Sequence, residues 1–337
     1  MLIKMKTKML FIKILKIYNK MLNKFVITTY LLIGLIYLTQ QYKPIIGIYG
    51  NPEPEDDFVI NTKTTVYGSY VRWLESFGAE ALAIHQWYTH EQIDEILSKI
   101  NGVLFMGGGR EFNVTALWEQ NALYIMKSSI KKGFPIWGTC MGFQLISVLL
   151  SEDESILKEE YSHMGYLDNL TLTSYAAGSR MYNLFNEDDF DSLLKRNGTI
   201  YFHTWGVSES DWNNNANLPH LFDITSFGND IKGKQFVNSF EGKNNTINIF
   251  ATQYHPEKNP YIRYDGYEVE HTVDSLRVSH KLGLSFIEQT RKNTNRMAYN
   301  ERKNYDFLNT YGKGHEDSYD PENNCYYFTK KERQENM

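Results

Sequence analysis

A cysteine flanked by glycines, Gly138-Thr-Cys140-Met-Gly142, joins one apolar run, Phe134 to Trp137, to a second, Phe143 to Leu150. In that setting G-x-C-x-G reads as a nucleophile elbow. The chain passes from strand to helix so sharply that the positions two before and two after the reactive residue must lack side chains, and the reactive residue is held in a strained backbone conformation. The helix that follows brings unpaired N–H groups and the positive end of its dipole to the sulfur, which favours a thiolate. Such a thiol needs a base for its proton and an orienting group behind the base. Of the nine histidines, His255 is best placed, because it follows the run Ile247 to Tyr254 and precedes Pro256. That is where a strand gives way to a loop, the edge at which open parallel sheets carry their sites. Glu257, two residues on, can accept the second ring N–H and fix the tautomer. Acyl transfer also needs N–H donors aimed at the developing oxyanion. Met106-Gly107-Gly108-Gly109 ends another apolar run, and its bare amides, with that of Met141, make Gly107, Gly108 and Met141 the expected oxyanion hole.

Other side chains are weaker candidates. His203, in Tyr201-Phe-His-Thr-Trp205, is either a substrate-side group or a core histidine beside Trp205. Arg110, Arg180 and Arg263 suit bidentate binding of carboxylates if the substrate is acidic, and each competes with an ordinary ion-pair reading. Cys325 lies in a polar stretch with neither an elbow nor a helix start and is read as non-catalytic. The histidines and cysteines show no ligand spacing of the H-x-x-x-H or C-x-x-C kind, and there is no G-x-G-x-x-G or G-x-x-x-x-G-K-[ST] motif. No metal and no cofactor are therefore expected.

Short apolar runs alternating with helical patterns must position these residues, and that alternation marks a parallel sheet covered by helices. Strands are expected at Ile45 to Tyr49, Ala81 to Ile84, Gly102 to Met106 and Phe134 to Trp137. Helices are expected at Val66 to Phe77, stopped by Gly78; at His90 to Lys99, opened by the Thr89/Gln92 capping box; and at Ala116 to Lys132. Further strands follow at Thr199 to Phe202, Leu221 to Phe227, Gln235 to Phe240 and Ile247 to Gln253, then a helix at Val273 to Thr290. The expected class is α/β, three-layered, with a mostly parallel central sheet flanked by helices.

The 337 residues allow one large domain or two small ones. Seven lysines and no acid fall in the first 24 residues, ahead of an uncharged stretch from Phe25 to Leu38. About 14 apolar residues suit a signal core and fall short of the roughly 20 that span a bilayer. Residues 1–42 are thus expected to be a signal peptide or, if uncleaved, an amino-terminal anchor. Without those lysines the balance is 28 basic against 40 acidic residues, a net charge of −12, which argues against nucleic-acid partners. Asn113, Asn169, Asn197 and Asn244 open N-glycosylation triplets, in keeping with a secretory route. Two cysteines allow at most one disulfide. The domain is expected over 43–292, and 293–337, rich in Asn, Lys, Tyr and Glu, is read as a polar extension, solvated or loosely docked. Expected partners are a small-molecule substrate and, as an option, a second copy of the chain; a membrane is met only through an uncleaved leader.

With these motifs in view the chain resembles the gamma-glutamyl hydrolases (folylpolyglutamate hydrolases, a C26-type cysteine peptidase group), which have a class I glutamine amidotransferase-like fold with a flavodoxin-like core. The matching stretches are Lys43-Pro-Ile-Ile-Gly-Ile48, Ser69-Tyr-Val-Arg-Trp-Leu-Glu-Ser76, Ile100-Asn-Gly-Val-Leu-Phe105, Pro135-Ile-Trp-Gly-Thr-Cys-Met-Gly-Phe143, Ser179-Arg-Met181, Phe202-His-Thr-Trp205 and Gln253-Tyr-His-Pro-Glu-Lys258. The resemblance implies a nucleophilic Cys140, a proton-transferring His255, a supporting Glu257 and a substrate-side His203. It further implies a lysosomal, vacuolar or secreted enzyme that cuts gamma-linked glutamates from folates. Met106, Gln144 and Tyr254 depart from the family's frequent Pro, Glu and Trp; Met106 and Gln144 border the pocket, which leaves chain-length preference and endo- or exo-cleavage open. Two rival expectations are a glutaminase half of an amidotransferase and a catalytically silent binding protein of the same fold.

Overall fold

In the computed structural model the described residues are 16, 18–30, 43–52, 63–262, 271–308, 319–320 and 325–330. The chain divides into two units, Met1–Lys43 and Pro44–Met337. In the first, residues 18–30 are helical with exposed side chains, and no helix among the described residues is long and apolar enough to cross a membrane. The remainder of the expected signal core, 31–38, its cleavage region and Arg263 lie outside the described residues.

In the second unit, strand β1 (Ile45–Tyr49) sends Ile45 and Tyr49 to one hydrophobic core and Ile46 and Ile48 to another. A strand covered on both faces is apolar throughout, as this one is. After β2 (Asn51–Pro52) and β3 (Lys63–Tyr67) comes helix α1 (Gly68–Ser76). The helical pattern had included Val66; the structure instead gives Thr64, Thr65 and Val66 to β3, where β-branched residues fit and where a strand from the far end of the chain pairs with them. Next are β4 (Glu80–Ile84), α2 (His90–Leu97) with its Thr89/Gln92 capping box, β5 (Gly102–Phe105) and α3 (Leu117–Lys132). Strand β6 (Ile136–Thr139) starts two residues later than expected, because the Phe134 N–H still closes the end of α3 on the Ser129 carbonyl. Helix α4 (Met141–Ser151) follows directly after Cys140.

Beyond it lie β7 (His163–Asp168), β8 (Thr171–Leu172), α5 (Glu187–Lys195), β9 (Thr199–His203), β10 (Phe222–Asn229), β11 (Gln235–Gly242), β12 (Ile249–Thr252) and α6 (Val273–Arg291). The described carboxyl-terminal strands are β13 (Phe307–Leu308), β14 (Tyr319–Asp320) and β15 (Cys325–Thr329).

The central sheet runs β13-β4-β1-β5-β6-β12-β11-β10-β8. Its middle strands β4, β1, β5, β6 and β12 are parallel, and the outer ones are antiparallel. Side chains of α2, α3 and α4 fill the core on one face, and those of α1 and α6 fill the other. Parallel pairing brings the carboxyl ends of β1, β5, β6 and β12 to one edge, so Asn51, Gly107, Cys140 and His255 meet there from four separate stretches of sequence. Composition marked 293–337 as polar. Its described parts nevertheless pair with β4 and β3, and they bury Tyr326, Phe328 and a hydrogen bond between His85 Nε2 and Asp306 Oδ2 at 2.7 Å.

Candidate active site

Cys140 caps α4 with φ 52° and ψ −107°, a left-handed conformation that costs a residue with a side chain about 1–3 kcal/mol. Its N–H donates to the Thr252 carbonyl of β12 (2.8 Å), and its thiol reaches the Phe202 carbonyl (3.7 Å). The sulfur is thereby fixed between β6, β12 and β9. Gly142 meets its requirement through close approach, since a β-carbon there would collide with the Phe105 carbonyl of β5. Helix α4 can lie directly on that strand only without it.

Past β12, His255 donates its N–H to the Ile200 carbonyl (2.9 Å). Its Nδ1 lies 2.8 Å from Glu257 Oε1, with both residues buried. A carboxylate at Nδ1 holds the proton there and leaves Nε2 as the working nitrogen. Burial alone would push the imidazole down, yet Glu257 and Cys140 outweigh it and His255 titrates above its ordinary value. For Glu257 burial pushes upward and His255 prevails, holding the carboxyl below its usual range. The two reactive groups converge: a β-carbon on Gly107 would lie 2.8 Å from His255 Cε1 and 3.4 Å from Cys140 Cβ.

The glycine loop corrects one expectation. Gly107 does not offer its amide to an oxyanion, because that N–H donates to the buried Tyr70 hydroxyl of α1 (2.8 Å). Its carbonyl accepts from Asn51 Nδ2 (2.9 Å). Of the three expected donors, Gly108 and Met141 are left as candidates, and Met141 stands in the first turn of α4, whose amides have no partner within the helix. Asn51 and Tyr70 escaped the reading of the sequence. The signal for Asn51 was its position just beyond β1 on the carboxyl edge; Tyr70, on an apolar helical face, gave none.

His203 is buried with Nδ1 against the Trp205 carbonyl (2.9 Å), and burial, then His163, pushes it down to about 3. It is a neutral ring whose Nδ1–H donates and whose Nε2 is an acceptor. Arg110 follows the glycine loop, half-buried, with its guanidinium 5.2 Å over the Trp118 ring. Arg180 is not a substrate clamp. Its guanidinium donates to Asn248 Oδ1 (2.6 Å) and the Ile247 carbonyl (2.9 Å), so it sits at the amino end of β12, across the sheet from Cys140. Gln144 donates to the Trp205 carbonyl (3.0 Å) and Gln253 Oε1 (3.3 Å), tying α4 to the segment before His255. Cys325 is buried in β15. No cluster of His, Cys, Asp or Glu among the described residues is arranged to hold a metal ion.

Residues 58–281 match the family model for glutamine amidotransferase class-I. Gamma-glutamyl hydrolase of Rattus norvegicus is 32% identical over 260 residues, covering 74% of this chain and 78% of that one. Gamma-glutamyl hydrolase B of Dictyostelium discoideum is 27% identical over 316 residues and covers 88% of each chain. Gamma-glutamyl hydrolase of Homo sapiens is 28% identical, covering 74% and 79%.

Proposed function

The chain belongs to the gamma-glutamyl hydrolases of the class-I glutamine amidotransferase family, and from that premise we propose that it hydrolyses gamma-glutamyl amide bonds in folate poly-gamma-glutamates through a thioester on Cys140. Cys140 passes its thiol proton to His255 Nε2 and its Sγ attacks the gamma-carbonyl carbon, while the amides of Gly108 and Met141 receive the charge that moves onto the carbonyl oxygen. His255 Nε2 then delivers a proton to the departing amine as the C–N bond breaks. Water attacks the thioester, His255 Nε2 takes its proton, and the glutamyl carboxylate leaves as the thiol is restored. Glu257 stabilises the imidazolium in both halves.

What carries this reading is the convergence of a left-handed cysteine and a carboxylate-backed histidine on one glycine. A neutral His203 suits a donor on the substrate, and Arg110 suits one of its carboxylates. Pentaglutamyl folate and glutamine, supplied in parallel and followed by mass spectrometry of the products, test the reading. Gamma-bond fragments from the folate are expected, and preferential release of ammonia from glutamine would favour the glutaminase alternative instead. A silent binding protein would show Cys140 alkylating with iodoacetamide no faster than the buried Cys325.

The leader and the four glycosylation triplets support export to a lysosome, a vacuole or the outside. Amino-terminal sequencing of the mature protein would show whether residues 1–42 are removed. A second copy of the chain is the protein partner proposed, to be tested by sedimentation.

A further inference from the structure

We infer that Asn51 is a positioning residue for the oxyanion hole: by holding the Gly107 carbonyl it turns the Gly107–Gly108 peptide so that the Gly108 N–H faces the carbonyl attacked by Cys140. The inference rests on the acyl chemistry proposed above.

A trans peptide is planar, so its C=O and N–H point in opposite directions and fixing one aims the other. Asn51 Nδ2 donates to the Gly107 carbonyl at 2.9 Å, which sets the direction of the Gly108 N–H. Asn51 is itself held: it is 6% exposed and follows a corner whose Gly50 N–H donates to the Ile84 carbonyl (3.0 Å) and whose Gly50 carbonyl accepts from Trp118 Nε1 (2.9 Å). The preceding peptide is fixed separately, by the Gly107 N–H on the Tyr70 hydroxyl. Both clamps are needed because successive glycines carry no side chains to restrict their dihedral angles. The space around Gly108 is shared with the second donor residue: a β-carbon there would lie 2.7 Å from both Asn51 Nδ2 and Met141 Cε. Asn51, Gly108 and Met141 thus form one packed unit beside the cysteine.

Asn51→Leu removes the donor and keeps the bulk. It should lower kcat/KM for a gamma-glutamyl substrate about 10- to 100-fold, a share of the roughly 10²–10³ in kcat lost when an oxyanion donor is deleted, with KM within about twofold. Burst acylation of Cys140 by p-nitrophenyl acetate, in which the thiolate adds to the ester carbonyl and p-nitrophenolate leaves, should slow by the same factor. Alkylation by iodoacetamide displaces iodide at a saturated carbon and creates no oxyanion, so its rate should be unchanged. Asn51→Ala, with no new bulk, provides the same comparison if the leucine variant fails to fold. Acylation at the parent rate in either variant, or an equal slowing of alkylation, overturns the inference. The ester burst reports on the hole even if the parent enzyme leaves gamma-glutamyl substrates intact, an outcome that would count against the proposed function alone.

Discussion

Cys140 occupies a backbone conformation that glycine adopts freely and other residues resist. Cys140→Ala should abolish hydrolysis and keep the strain. Cys140→Gly should also be inactive, yet more stable than the alanine variant by about 1 kcal/mol, as denaturant unfolding of the two would show; equal stabilities would argue that the elbow is relaxed. The His255–Glu257 pair has its own pH signature. A histidine raised in the folded state adds stability below its unfolded pKa and loses it as pH rises through the folded value; a carboxyl held down adds stability above its unfolded pKa and loses it as pH falls through the folded value. With unfolded values of about 6.5 and 4.3, the Tm advantage of the parent over Glu257→Gln should be greatest in that interval and shrink on both sides. A difference that stays constant with pH would contradict the charged pairing. These residues were legible because each sits in a short local motif. Asn51 and Tyr70 were not, since what matters about them is a peptide group more than thirty residues away.

Elements succeed or fail by what they pack against, and here the elbow and the arginine make opposite demands. Gly142→Ala should displace α4 from β5, destabilising by about 1–3 kcal/mol as overpacking does and removing most activity with it. Arg180→Ala should cost about 1.5–3 kcal/mol, the range for hydrogen bonds to a charged group, while the KM of the folded enzyme stays at the parent value. A raised KM would restore the substrate-clamp role that the amino-edge position denies it. The parallel strands and most helices were readable from apolar runs and caps. The start of α1 was not, because Val66 fits a helical face and a strand equally well and the pairing that decides, with Cys325–Thr329, spans nearly the whole second unit.

At the scale of the molecule, the carboxyl-terminal residues support the edge that carries the site. β15 pairs with β3, and β3 runs directly into the helix bearing Tyr70. Removing residues after Leu308 would delete Tyr326 and Phe328 and forfeit their burial against the second core, worth about 1.5–3 kcal/mol for each side chain, and should lower both Tm and kcat. Unchanged activity and melting would show that this segment merely lies on the surface. Its polar composition concealed the docking, since a few aromatic residues and free strand edges suffice for it. The central claim, that a thioester forms on Cys140, can be read from one covalent species. Rapid acid quenching during turnover of a gamma-glutamyl substrate, followed by peptide mass spectrometry, should show the acyl mass on the Cys140 peptide alone. That mass on Cys325 instead, or turnover by Cys140→Ala at the parent rate with no adduct, would rule out a thioester on Cys140.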